Sequence, residues 1–105
     1  MSTFDDRKRA AEAKFAQDAD LRFKTLARRN RLLGEWAAEI LGKQGDDARS
    51  YAMAVVGADF RQPGDEDVFR KVAGDLSGKA DEAVIRARMA EFLDMARDQI
   101  IGEAG

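Results

Sequence analysis

Three short interruptions divide a chain otherwise built from helix-forming residues: Gly42 to Gly45, Pro63 with Gly64, and Ser77 with Gly78. Pro63 is the only proline. β-Branched residues are few, and no alternation of apolar and polar positions runs long enough to make a half-buried strand. A chain punctuated in this way offers four helical segments and no sheet to pack them on. The expected fold is all-α, a four-helix bundle with a flexible or projecting N-terminal helical arm.

The first segment runs from about Phe4 to Leu41. Its apolar positions, Ala11, Phe15, Ala19, Phe23, Leu26, Leu33, Ala37 and Ile40, are spaced by three, four and seven, which places them on one helical face. Gly42 then serves as the residue after the C-cap, where a left-handed backbone costs little. Asp46 is the expected N-cap of the second helix, with Tyr51, Ala52, Val55, Val56 and Phe60 facing inward. Asp65 is the expected cap of a short third helix. Glu66 and Asp67 fill its first turn, where the helix dipole favours negative charge, and Val68, Phe69, Val72 and Leu76 face the core. Asp81 opens the fourth, with Ile85, Met89, Phe92, Leu93, Ala96 and Ile100 inward and a frayed tail from Gly102 to Gly105.

Length makes the first segment informative. A continuous helix of about 38 residues would measure about 57 Å, while the other three reach only about 18 to 30 Å. Either the segment breaks or its beginning projects beyond a bundle formed by roughly Leu21 to Ile101. Residues 1–18 are therefore assigned to an arm and 19–105 to the bundle. The arm carries Phe4, Phe15 and several alanines, enough for an amphipathic helix against a partner and too little for a core. A frayed terminus without a role is the competing reading.

Composition removes most chemistry. The 105 residues, 45% hydrophobic and 36% charged, fit one small domain. There is no cysteine and no histidine, which excludes disulfides, thiolate zinc sites, cysteine nucleophiles and imidazole bases or ligands. Charges interrupt every apolar run before the ~18 positions a membrane span needs, so no direct membrane insertion is expected. The opening MSTFDDRKRA has no apolar stretch behind its charges, reads as mature sequence, and points to the cytoplasm. Asp65 to Asp67 lack the surrounding loop of a calcium site, and GDLSGKA at 74–80 lacks the spacing and hydroxyl of a phosphate loop. Adjacent acids such as Asp5 with Asp6 supply no separated acid and base, so no enzyme, metal or cofactor is expected.

Charge is uneven all the same. The chain carries a net charge of −2, yet residues 19–31 hold five bases, Arg22, Lys24, Arg28, Arg29 and Arg31, and one acid. An anionic partner surface and the solvated face of a bundle helix both explain this cluster. It is too isolated to suggest nucleic acid, and the arm itself holds four bases and four acids. Asn30 lies between Leu26 and Leu33, either buried to fix register or exposed at the stripe edge. Trp36 belongs to the core or its edge. Gly34, Gly57 and Gly74 inside helices mark either close helix approach or plain tolerance.

Three strings take the reading further: FDDRKRAAEAKFA at 4–16, LRFKTLARRNRLLGEWAAEILG at 21–42 and ADFRQPGDEDVFRKV at 58–72. Together, and in order over nearly the whole chain, they closely resemble the zeta subunit family of alphaproteobacterial F-type ATP synthases. The resemblance implies a four-helix bundle whose N-terminal segment inhibits the catalytic head. That segment would enter as a helix between the catalytic subunits and the central rotor and obstruct ATP hydrolysis, leaving synthesis much less affected. The implied partners are the catalytic and rotor subunits, and the implied location is cytoplasmic, peripheral on the membrane-bound enzyme.

Carried over by position, the partner-binding set is Phe4, Asp5, Asp6, Arg7, Arg9, Glu12, Lys14 and Phe15, with Arg22, Arg28 and Arg29 as a second contact region. Phe4 and Phe15 would act as apolar anchors, and Arg7, Arg9 and Lys14 would pair with acceptors at the interface. Two positions depart from the family pattern: Ala11 where relatives often carry an aromatic residue, and Lys8 where they often carry an acid. A non-inhibitory binding or assembly protein of the same ATP synthase is the alternative function. A nucleotide sensor is disfavoured, because aspartate at the helix starts opposes bound phosphate.

Overall fold

The computed structural model describes residues 18–61 and 65–104. Among them are four helices and no strand: α1 (Ala19–Ile40), α2 (Gly45–Arg61), α3 (Asp65–Asp75) and α4 (Glu82–Ala104). The all-α expectation holds among the described residues, with helices interrupted at the Gly42–Gly45 and Ser77–Gly78 breaks as expected.

Helix α1 packs against each of the other three, α3 joins α2 to α4, and α2 and α4 occupy opposite corners without meeting. Leu33 and Ala37 from α1, Val55 from α2, Val68, Phe69 and Val72 from α3, and Ile85 and Met89 from α4 form the central cluster, joined by Leu76 just after α3. Each fully buried aliphatic side chain of this set contributes about 1.5–3 kcal/mol. The inward positions expected for α3 are all buried. Trp36, Ile40, Tyr51 and Phe92 pack partly buried against the cluster, which places the tryptophan at the core edge.

Local chemistry sets the helix ends. Asp18 has extended backbone angles (φ −100°, ψ 106°), and its carboxylate accepts the N–H groups of Asp20 and Leu21, at 2.9 and 3.3 Å. It is an N-cap, so α1 begins there and the first segment breaks at this point rather than running on as one helix. At the other end Gly42 has φ +75°. The Lys43 N–H reaches the Ala38 carbonyl at 2.9 Å and the Gly42 N–H reaches that of Glu39 at 3.1 Å, a Schellman closure. Gly34 is fixed by a neighbour: a Cβ on it would stand 2.6 Å from the Ala52 Cα. Close approach explains this glycine. Gly57 and Gly74 have nothing within 4 Å of such an atom and are simply tolerated.

Several expectations are corrected. Asp46 is not the cap of α2. The helix starts at Gly45, with φ +57°, after the Gln44 carbonyl accepts the Ala48 N–H, and the Asp46 carboxylate pairs instead with Arg49. Asp65 likewise lies within the first turn of α3, where its carboxylate takes the Arg29 guanidinium. The tail from Gly102 is not frayed at once, because α4 continues to Ala104, and Glu103 is tied to Arg28. Ala19 and Phe23 are exposed rather than inward. Since α3 begins level with Arg29, the first turns of α1 extend past it and have fewer helices to pack against. The break at Pro63 and Gly64, and the Phe60 side chain, lie outside the described set.

Candidate functional site

The arm positions Phe4, Asp5, Asp6, Arg7, Arg9, Glu12, Lys14 and Phe15 lie outside the described residues. The bundle part of the expected partner surface falls on α1, whose first half carries Arg22, Arg28 and Arg29. The structure separates these three. Arg22 is exposed and makes no ion pair among the described residues. Arg28 is half-buried and crosses to α4, donating to Gln99 Oε1 at 2.8 Å and approaching Glu103 at 2.9 Å. Arg29 is 1% exposed. Its Nη2 donates to Asp65 Oδ1 at 2.8 Å and its Nε to Asn30 Oδ1 at 2.7 Å, so its guanidinium is engaged within the bundle.

The remaining bases of the cluster are also matched. Lys24 pairs with Asp20 at 3.2 Å and Arg31 with Glu35 at 3.2 Å, each one helical turn away. Intramolecular pairing engages four of the five bases of the stretch; Lys24 and Arg31 lie on a solvated helix face, whereas Arg29 does not. The two exposed pairs, Lys24–Asp20 and Arg31–Glu35, contribute at most about 1 kcal/mol each.

Beside them lies a polar layer. Thr25, Arg29 and Asn30 are buried together on α1, and neither Thr25 Oγ1 nor Asn30 Nδ2 has a partner among the described residues. The Asn30 alternative is thus resolved toward burial. A buried polar atom left without any partner costs about 1–3 kcal/mol.

Two shallow hollows flank the basic face of α1. One, of about 510 Å³, is lined by Arg31, Glu35, Ala48, Arg49, Ala52 and Met53. The second, of about 470 Å³, includes Lys24, Ala27, Arg28, Val56, Ile100 and Glu103, and it shares Arg31 and Met53 with the first. Met53 is 61% exposed. Sequence reasoning missed Met53 and Arg49, although Met53 sits between the buried pair Ala52 and Val55, where an exposed methionine is a readable anomaly.

Two titrating groups are perturbed, both in structural roles. The Tyr51 hydroxyl donates to Asp75 at 2.8 Å. Burial, then that hydrogen bond and the negative charge of Asp75, raise its pKa far above the ordinary tyrosine range. Glu66 is held below the usual glutamate range by its hydrogen bond to Arg86, then by the charge of the same guanidinium, which also stacks 3.7 Å from the Phe69 ring centre. No group of three or more acids poised for a metal occurs among the described residues. No described helix is long and apolar enough to cross a membrane.

Comparison with known proteins adds a decisive finding. The family model described as ATPase inhibitor subunit zeta matches residues 1–99. A solved protein, described as a solution NMR structure, superposes with a TM-score of 0.72 at 52% sequence identity, over 79% of this chain and 98% of that one. Among the curated proteins searched, none matches.

Proposed function

The chain belongs to the ATPase inhibitor subunit zeta family, and from that premise we propose that it is the inhibitory subunit of an F-type ATP synthase, blocking ATP hydrolysis with its N-terminal segment. The observation that carries this reading is the extent of the family match, which runs from residue 1 and so includes the arm as well as the bundle. In mechanism, residues 1–18 enter the catalytic head as a helix between the catalytic subunits and the rotor. Phe4 and Phe15 anchor it by apolar burial, Arg7, Arg9 and Lys14 pair with acceptors there, and Asp5, Asp6 and Glu12 meet donors. The bundle holds the arm at the enzyme surface, with Arg22 and Arg28 as accessible contacts. Arg29, turned inward to Asp65, supports α1 instead.

Two features support the division of labour. The Asp18 cap gives α1 a start of its own, so the bundle does not depend on the arm for its first turn. The absence of histidine and cysteine leaves the chain poor in catalytic groups, in keeping with a regulatory protein that acts by obstruction. It works in the cytoplasm, peripheral to the membrane-bound enzyme, and needs no cofactor.

The test is steady-state ATP hydrolysis by an alphaproteobacterial F-type ATPase depleted of its zeta subunit. Full-length protein is compared with a version lacking residues 1–17, which retains the Asp18 cap, and with the triple variant Phe4→Ala, Arg9→Ala, Phe15→Ala. Inhibition by the full chain alone, with unchanged thermal midpoints for the variants, supports the reading. Cosedimentation without inhibition favours a non-inhibitory binding or assembly protein, the outcome that Ala11 and Lys8 would explain. Absence of binding overturns the partner assignment.

A further inference from the structure

The stripe that the sequence lays along α1 is covered by the bundle over only part of its length. Leu33 and Ala37 are fully buried and Leu26 is half-buried, while one turn before Leu26 Phe23 is 52% exposed, and two turns before it Ala19 is exposed. Arg22 falls on the same stripe, three residues after Ala19 and four before Leu26. It too is exposed, and it is the one base of residues 19–31 without an ion pair among the described residues. The cause is the height of the neighbouring helices. Asp65 at the start of α3 meets α1 at Arg29, and Glu103 in the last turn of α4 meets it at Arg28, so neither helix covers the turns around Ala19.

From this uncovered start we infer that the partner-binding surface runs past the arm onto the first two turns of α1, where the ATP synthase surface that receives residues 1–17 also covers Ala19, Arg22 and Phe23; the inference rests on the function proposed above. Continuity selects the occupant. Phe4, Ala11, Phe15, Ala19 and Arg22 follow one another at spacings of seven, four, four and three, so the pattern crosses Asp18 without losing the helical period. Phe15 and Phe23 are eight residues apart, about 12 Å along a helix, within reach of one partner surface. Area argues against a second copy of this chain. Phe23, about half exposed, offers roughly 100 Å², far below the about 800 Å² per partner of a stable interface. As the last part of a longer contact the same patch adds an apolar anchor and a cation. The partner that fits it has an apolar floor for Ala19 and Phe23 and a carboxylate or carbonyl acceptor for Arg22.

The experiment adds full-length chains to an alphaproteobacterial F-type ATPase depleted of its zeta subunit and reads inhibition, cosedimentation and crosslinking. Phe23→Ala and Arg22→Glu should each raise the concentration giving half inhibition about tenfold, and Phe23→Leu should recover most of the loss. Val84→Ala changes a residue 42% exposed beside Trp36 and Ile40, at the other end of α1, and should leave inhibition unchanged. p-Benzoylphenylalanine at position 23 should crosslink to the ATPase subunit that the same group reaches from position 15, and at position 84 should not. Arg22→Glu removes no recorded contact and should keep the thermal midpoint, so it and the crosslink decide the matter even where Phe23→Ala destabilises the bundle. Inhibition unchanged by Phe23→Ala and Arg22→Glu but weakened by Phe15→Ala overturns the extension onto α1 and leaves the arm mechanism standing. A crosslink from position 23 that reaches only a second copy of this chain overturns it as well. A full-length chain that neither attaches nor inhibits overturns the function proposed above, and the extension with it.

Discussion

Gly34→Ala and Gly57→Ala make the same chemical change in two helices of one protein, and the structure predicts opposite outcomes. In an open helical position, replacing glycine by alanine gains roughly 0.5–1 kcal/mol, because the unfolded chain loses freedom it would otherwise give up on folding. Gly57 is such a position, with nothing within 4 Å of the added carbon. At Gly34 the same carbon would stand 2.6 Å from the Ala52 Cα, 3.1 Å from its Cβ and 3.2 Å from its carbonyl oxygen. Ordinary carbon contacts are about 3.5–4.0 Å, so α1 and α2 must part by about 1 Å near this crossing. Overpacking of this kind costs about 1–3 kcal/mol, and the propensity gain offsets about 1 of it. Gly34→Ala should therefore be neutral to about 2 kcal/mol destabilising, and should fall about 1–3 kcal/mol below Gly57→Ala. In a domain of this size each kcal/mol moves the melting midpoint by about 4–8 °C. Urea unfolding followed by fluorescence of the single tryptophan, Trp36, and by circular dichroism measures both variants under a common slope. Because the nearest atom belongs to the backbone, adding Ala52→Gly should not restore Gly34→Ala. Equal stabilisation by both alanines, or full rescue by Ala52→Gly, would refute the close approach of α1 and α2.

Other outcomes follow from the polar contacts. Arg29→Ala should cost about 1–3 kcal/mol in urea unfolding, because it strips the buried Asn30 carboxamide oxygen of its donor; Asp65, 59% exposed at its side chain, remains solvated. Arg29→Leu with Asn30→Leu should recover most of that loss, since apolar replacement removes the unmet polar atoms together. Tyr51 has a raised pKa, so its contribution is complete below the ordinary tyrosine value of about 10 and is lost as pH rises through the higher folded value. Tyrosinate absorbance during alkaline titration should therefore appear late, and Asp75→Asn should bring it to lower pH. Glu66 has a lowered pKa, so its tie to Arg86 is present above the ordinary glutamate range and is lost as pH falls through the folded value. Carboxyl NMR titration should show this, and Arg86→Ala should return Glu66 to ordinary behaviour.

Much of the fold was legible because it depends on local rules. Gly42 after α1 carries the expected left-handed backbone, and the inward positions Val68, Phe69, Val72 and Leu76 are all buried. Helix starts were less well read. Asp46 and Asp65 have the right chemistry for caps, yet Asp46 is the second residue of its helix and Asp65 the first of its own, and each gives its carboxylate to an arginine. The candidate site was legible only in part. Segment length set the arm apart as an expectation and the charge count marked the basic stretch, but a count of charges does not distinguish exposed Arg22 from Arg29 inside the protein.

Among the described residues, the sequence by itself determined the four helices, the breaks at Gly42–Gly45 and Ser77–Gly78 and most of the apolar faces, because glycine and the helical period act over a few residues. Only the tertiary structure decided that Arg28 reaches Gln99, 71 positions away, that Arg29 is buried against Asp65, and that Gly34 is required while Gly57 is tolerated. Those outcomes depend on which helix lies opposite and how closely it approaches. Charge and spacing along one helix carry no record of that distance.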